Sequence, residues 1–155
     1  MKNAMKMALL LAAALPASAL SGDKTMLFTA QAIQAQLAQL APQAQASGSS
    51  GSTLAATGNL ALKTSVRTVS GGAEIHAHFD DLMMVEQGSA TLITGGTVVD
   101  AKTNADGETK GSRIEGGVSR ILHAGDVVIV PAGEPHQLLI PPGVTYSALV
   151  AKIRE

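Results

Sequence analysis

The sequence predicts one all-β domain, an antiparallel sandwich or barrel, with a single short helix in front of it. From about residue 58 onward, short apolar runs alternate with Gly, Pro, Asn and Asp, which is typical of strands joined by turns. The length of 155 residues and a hydrophobic content of 46% suffice for one core. Only 15% of the residues are charged, which excludes a coiled coil and a charged disordered chain.

The first 19 residues have the layout of a secretory signal peptide. Lys2 and Lys6 precede an apolar stretch at 7–15, and the small residues Ala-Ser-Ala follow at 17–19. Nine apolar residues before a proline are too few for the roughly 20 that a membrane-spanning helix needs. We expect cleavage near Ala19, a periplasmic or secreted location, and no membrane insertion of the mature chain.

Residues 20–57 are expected to form an N-terminal helix and a linker. Thr29 can cap a helix over about 30–40, because Ile33, Leu37 and Leu40 recur at spacings of four and three. The Gly/Ser run at 47–52 then predicts a flexible connector or a loop, which places the barrel domain at 58–155.

The barrel region contains eight candidate strands and one polar segment. Residues 102–117, rich in Gly, Asn and Asp, are expected to be an exposed, mobile excursion between strands. The candidate strands are 59–69, 73–77, 82–87, 90–94, 97–100, 126–130, 137–140 and 146–153.

Composition excludes several function classes. The absence of cysteine rules out disulfides, thiol catalysis and Cys-ligated metals, so any metal must be held by histidines and carboxylates. A formal net charge of −1 without a Lys/Arg cluster argues against a nucleic-acid partner. The three aromatic residues are too few for a base-stacking platform.

Three histidines fall in two patches that each read as strand, turn and strand. His76 and His78 are two residues apart, so on a strand both imidazoles project to one face, and Asp81 at the start of the next strand can complete a metal-binding face. Glu74 shares that face by parity and is a candidate general base or acceptor for an imidazole N–H. In the second patch, a Pro-x-Gly turn after an apolar strand presents His136 as a third nitrogen ligand.

The two patches resemble the paired motifs of the cupin family. The second motif, a Gly, five residues, Pro-x-Gly, two residues and His, is matched by Gly125, Pro131, Gly133 and His136. Its final Asn is replaced by Ile140.

The first motif of that family, Gly-x5-His-x-His-x3 or x4-Glu-x6-Gly, is matched by His76, His78 and Gly88. Asp81 stands the required six residues before Gly88, although it replaces Glu and follows His78 after only two residues. Ser70 occupies the place of the opening Gly. The resemblance covers about residues 58–153.

This resemblance implies a double-stranded β-helix, the cupin jelly-roll barrel, with a metal near its middle. The ligands that it implies are His76, His78, Asp81 and His136. Such a set suits one divalent transition metal (Mn, Fe, Ni, Co, Cu or Zn) rather than Ca or Mg, and leaves positions for water or an oxygen ligand.

Three functions follow as hypotheses. The first is an exported metalloenzyme of dioxygenase, isomerase or lyase type, acting on a small oxygen-bearing organic substrate. The second is a non-catalytic module that binds a small molecule or a metal, and the third is a metal-free structural barrel. A homodimer is expected, with the apolar strand at 146–153 as its edge.

Overall fold

A computed structural model describes residues 24–155, so the signal peptide expected at 1–19 lies outside the described residues. Among the described residues, no helix combines the length and hydropathy needed to cross a bilayer. The elements are α1 (Ala30–Ser47), β1 (Ser49–Ala56), β2 (Leu60–Arg67), β3 (Ala73–His76), β4 (Phe79–Gln87), β5 (Ser89–Thr94), β6 (Thr97–Val99), β7 (Lys102–Thr103), β8 (Glu108–Gly111), β9 (Arg113–Glu115), β10 (Val118–His123), β11 (Val127–Val130), β12 (His136–Leu139) and β13 (Tyr146–Arg154).

Two antiparallel sheets form the body of the protein. One has the strand order β1-β2-β13-β4-β11 and the other β10-β5-β12-β3-β8-β7, while β6 and β9 pair as a small third sheet. Strands β2 to β5 and strands β10 to β13 alternate between the two large sheets. This architecture confirms the predicted all-β jelly-roll barrel with a short N-terminal helix.

The apolar core is built from strands of both large sheets. On β4 the side chains of Met83 and Val85 are buried, and on β5 those of Ala90 and Leu92 are buried, as the two-residue period of a strand requires. The remaining buried members of this cluster are Leu122, Val130, Ile140, Tyr146 and Ala148. The core therefore holds the two sheets together.

Helix α1 begins where the sequence predicts and ends later. The Thr29 hydroxyl accepts a hydrogen bond from the N–H of Ala32 (3.2 Å), which confirms the N-cap. The helix continues to Ser47, where Gly48 adopts the left-handed conformation (φ 88°) and terminates it. Leu37 and Ala44 pack on Val66 of β2, so α1 covers the outer face of the first sheet.

The prediction of a flexible linker or loop at 47–52 is wrong, because Ser49–Ala56 form strand β1. This strand pairs antiparallel with β2 from Ser49 opposite Arg67 to Ala56 opposite Ala61. Without β1, one edge of β2 would leave its backbone donors and acceptors unpaired, and satisfying them outweighs the low β propensity of Ser and Gly.

The segment expected to be an exposed excursion at 102–117 carries strands β7, β8 and β9 instead. Thr109 and Ile114 are buried, and β8 pairs with β3 beside the candidate site. The tertiary pairing of these short strands overrides their turn-rich composition.

The C-terminal strand is also not an edge. β13 pairs with β2 on one side and with β4 on the other, so it lies in the middle of its sheet. The edges of that sheet are β1 and β11. An apolar strand gains most from burial on both flanks, which explains the central position.

Candidate metal centre

Glu74, His76 and His136 converge because of the strand pairing of β3 and β12. His136 lies directly opposite Glu74, so their side chains share one face at about 5 Å between Cβ atoms. His76 follows Glu74 by two residues on β3 and points to the same face. One potential ligand atom from each residue lies within 4.8 Å of the others, and the two imidazole centroids are 5.0 Å apart.

The Pro-x-Gly turn before β12 is tied to both sides of the β3–β4 hairpin. The N–H of Gly133 donates to the carbonyl of His76 (2.9 Å), and the N–H of Ala132 donates to the carboxylate of Asp80 (2.8 Å). Gly133 has φ 79°, a conformation that side chains rarely adopt, which explains the glycine. The turn thus fixes His136 relative to His76.

Both imidazoles have their Nδ1 atoms in polar contacts, and His76 Nε2 faces the carboxylates of Glu74 and Asp81. His76 Nδ1 pairs with the carboxylate of Glu108, which stands opposite it in the β3–β8 register. His136 Nδ1 lies 3.2 Å from the carbonyl oxygen of Glu134. With Nδ1 engaged in both rings, Nε2 is the nitrogen that a metal would take, and in His76 the ion would replace the proton shared with Asp81.

Asp81 lies beside this group and is held by a lysine. Its Oδ2 is 3.3 Å from His76 Nε2, and its Oδ1 accepts a hydrogen bond from Lys152 Nζ (2.7 Å), its cross-strand neighbour on β13. Burial favours the neutral acid, but the hydrogen bonds from His76 and Lys152 outweigh it, so the pKa of Asp81 is lowered. Asp81 is therefore an anion next to the centre.

The two imidazoles are perturbed in opposite directions. The hydrogen bond to Asp81, supported by Glu108, raises the pKa of His76 against the effect of its burial. Burial lowers the pKa of His136. A buried imidazole that stays neutral is the form that binds a metal.

These residues fit a divalent transition metal. Two imidazole nitrogens and a carboxylate are donors of the class that Mn, Fe, Co, Ni, Cu and Zn accept. Glu74, His76 and His136 would hold the ion, with Asp81 adjacent.

The structure does not bring His78 into this group. Strand β3 ends at His76, and Ala77 and His78 form the turn that leads into β4, where the His78 side chain is exposed. The two-residue spacing therefore does not place both imidazoles on one face. Glu74, predicted as a general base, stands among the potential ligands instead.

The signal for this arrangement is present in the sequence. Glu74-x-His76-x4-Asp81-x6-Gly88 reproduces the spacing of the first cupin motif, with Glu in place of its first His. This register also removes the short gap between His78 and Asp81. Glu108 has no comparable local signal, because it reaches His76 only through the pairing of β8 with β3.

The centre lines an open cleft with a smaller cavity behind it. The cleft has a volume of about 720 Å³ and the inner cavity about 110 Å³, and Arg67, Glu74 and Asp81 line both. Three cationic and three carboxylate side chains line the cleft: Lys63, Arg67, Lys152, Glu74, Asp81 and Glu108. The volume and mixed polarity suit a small polar ligand.

Solved structures with this architecture include a cupin domain. The Cnp3 cupin domain from Schizosaccharomyces pombe superposes with a TM-score of 0.53 at 10% identity, over 69% of this chain and 65% of that one. The protein has the cupin fold.

Two enzymes show the same fold at similar distance. The polyketide cyclase RemF from Streptomyces resistomycificus gives a TM-score of 0.51 at 18% identity, over 70% of this chain and 67% of that one. The DMSP lyase DddQ from Ruegeria pomeroyi gives 0.50 at 18% identity, over 69% of this chain but only 47% of that one. No family model and no curated protein matches the chain. At these identities the shared property is the cupin fold itself.

Proposed function

We propose that this protein is an exported metalloenzyme of the cupin type that acts on a small oxygen-bearing organic molecule. The observation that carries the proposal is the convergence of Glu74, His76 and His136, of which Glu74 and His76 line the open cleft and His136 lines the inner cavity. The hydrogen-bonded Nδ1 atoms of both histidines support it, because they orient Nε2 for an ion.

The donor set suggests which metal to test first. Two histidines and one carboxylate have the composition of the triad that holds non-haem Fe(II) in oxygenases, and such a set leaves ligand positions open. A bound divalent ion supplies Lewis acidity toward a substrate oxygen, or, if it is iron, dioxygen chemistry. The reaction class stays open among dioxygenase, isomerase and lyase types.

The protein's own residues prepare the site for such a substrate. Glu108 holds the proton of His76 on Nδ1, and Lys152 offsets the charge of Asp81. The cleft admits the substrate to one side of the centre.

Elemental analysis tests the metal centre. Tag-free protein is purified anaerobically as wild type, His136→Ala and His123→Ala. His123 is the matched control, since it lies at the surface with 70% of its side chain exposed. We expect about one metal ion per chain in wild type and His123→Ala and little in His136→Ala. Equal metal contents in all three variants would refute the centre.

A substrate screen then tests turnover. Small hydroxy acids, keto acids and enols are incubated with metal-loaded wild type and with His136→Ala. Product formation only in the wild type supports an enzyme. Equal rates in both would contradict catalysis at this centre, and stoichiometric metal without turnover would favour the non-catalytic binding module.

Export and assembly are further parts of the proposal. The signal-like pattern of residues 1–19 supports export, and mass spectrometry of protein secreted by its host should show a chain that starts near residue 20. Exposed apolar side chains on the edge strands β10 and β11 support a homodimer. Their exposed fractions are 57% to 66%: Val118, Ile121, Val127 and Ile129. Sedimentation that shows only monomer at all concentrations would refute the dimer.

A further inference from the structure

Arg67 is a cation inside the barrel without an anionic partner. It is half-buried at the end of β2 and lines both the open cleft and the inner cavity. Among residues 24–155 its guanidinium makes no hydrogen bond or ion pair, although Glu74 and Asp81 line the same cavities. Those carboxylates are engaged elsewhere, with Lys110 (3.7 Å) and Lys152 (2.7 Å) respectively. A guanidinium offers five N–H donors, so an unpaired one in a cavity suggests an absent acceptor.

Tyr146 provides a second unsatisfied donor next to Arg67. The two residues are directly opposite each other in the β2–β13 pairing, so their side chains share the inward face. Tyr146 is only 1% exposed, and its hydroxyl has no hydrogen-bond partner among the described residues. Burial raises the pKa of Tyr146 to about 12, so the hydroxyl remains a donor at neutral pH.

The inner cavity brings these donors together with the metal centre. Its volume is about 110 Å³, and its lining includes Arg67, Tyr146, Glu74 and His136. Gly71 leaves room for the guanidinium, because a Cβ at this position would lie 3.1 Å from an Arg67 terminal nitrogen. A space of this size holds several water molecules or a small polar group.

We propose that Arg67 and Tyr146 bind the carboxylate of a small organic acid whose other end faces Glu74, His76 and His136. The planar guanidinium matches the two oxygens of a carboxylate, and the phenol adds a third donor once the ring moves to expose its hydroxyl, which is fully enclosed in the structure. The inference rests on the proposed function for the orientation of the acid toward the centre. The carboxylate subsite itself depends only on Arg67, Tyr146 and the cavity.

The surrounding charges predict that metal and carboxylate bind cooperatively. Glu74 and Asp81 line the same inner cavity and repel an anion in the metal-free protein. A divalent ion held by Glu74 offsets this repulsion. We therefore expect a carboxylate to bind about tenfold more tightly to the metal-loaded protein, a coupling of ordinary size.

Isothermal titration calorimetry with lactate and malonate tests the subsite, in metal-free and metal-loaded protein. Lactamide and malonamide are the neutral probes of similar size, and inorganic phosphate is the competing anion. The variants are Arg67→Gln and Tyr146→Phe, with Arg120→Gln as the matched control. Arg120 lies on the outer edge strand β10 and hydrogen-bonds to Thr94.

We expect at least one of the two acids to bind wild type and Arg120→Gln, with its amide weaker by about tenfold or more. Arg67→Gln should lose about tenfold or more in acid affinity while keeping its metal content, and Tyr146→Phe should lose several-fold. If Arg67→Gln does not fold by circular dichroism, Arg67→Lys replaces it. Lysine keeps the charge without the planar fork, so weaker binding is again expected.

Four results would overturn the proposal: no binding of either acid to any form, equal affinity of acid and amide, tighter binding of phosphate, or wild-type affinity in the Arg67 variant. Failure of the metal centre would look different. In that case the protein binds no metal, yet Arg67-dependent binding of the acid persists in the metal-free protein, and the carboxylate subsite stands alone.

Discussion

Replacing Glu108 by alanine should weaken metal binding about 10- to 100-fold, although this residue is not among the ligands. Its carboxylate accepts the Nδ1 proton of His76 and so fixes both the tautomer and the orientation of the ring. Without that acceptor, the ring is no longer held with Nε2 toward the position where Glu74 and His136 would also bind the ion. A 10- to 100-fold loss corresponds to about 1.4–2.7 kcal/mol of binding free energy.

The structure places the expected value near the lower end of this range. About 26% of the Glu108 side chain is exposed, so a water molecule can take over part of its acceptor role. Glu108→Gln retains an oxygen acceptor for the same proton and should lose less than Glu108→Ala. Both variants should keep the fold, because Glu108 is the first residue of β8 and its side chain is partly exposed.

The assay is competition for the metal with a chromophoric chelator, followed for wild type, Glu108→Ala and Glu108→Gln. Glu115→Ala is the matched control, since it removes the same charge from an exposed position on β9. An affinity of Glu108→Ala equal to that of Glu115→Ala would refute the reasoning. It would show that strand packing alone orients the His76 ring.

His78→Ala should leave metal affinity unchanged in the same assay, while His76→Ala should abolish stoichiometric binding. A large loss of affinity in His78→Ala would instead support His78 as a ligand, as the sequence predicts. In metal-free protein, NMR should show His76 titrating above 6.5 and His136 below it, and the reverse order would contradict the site geometry. The stability contributed by the His76 imidazolium is fully present below about pH 6.5 and is lost as pH rises through its raised pKa. Leu37→Ala should lower the free energy of unfolding by about 2–4 kcal/mol in urea titrations, because it leaves a cavity between α1 and β2. As the control, Gln39→Ala at an exposed position should change the free energy of unfolding by less than about 0.5 kcal/mol.

The second histidine patch could be interpreted from sequence because all its constraints are local. Pro131 and Gly133 specify the turn, and the apolar run before them specifies a buried strand. The buried strand and the turn together place His136 at the start of β12. The N-cap at Thr29 was predictable for the same reason.

The first patch was harder because its interpretation depends on where one strand ends. Period-two reasoning assigns Glu74, His76 and His78 to one face, but the face exists only while the strand continues. The chain turns at Ala77, so the last of the three leaves the face while the first two remain. The spacing from His76 to Asp81 contained this information, since it restores the four-residue gap of the family motif.

The functional contacts that sequence could not predict are pairs across strands. Four such pairs build the site: His136 with Glu74, His76 with Glu108, Asp81 with Lys152, and Arg67 with Tyr146. Strand periodicity reveals which residues of one strand share a face, but the partner is set by the register between strands that are distant in sequence. A shift of one residue in β8 would turn Glu108 to the other face and leave His76 Nδ1 without its acceptor. The candidate site therefore depends on the register of β2, β3, β4 and β8 with their neighbours as much as on the motifs. Glu74 could be predicted because it lies two residues from His76 on the same strand, whereas Glu108 reaches His76 only through the pairing of two strands.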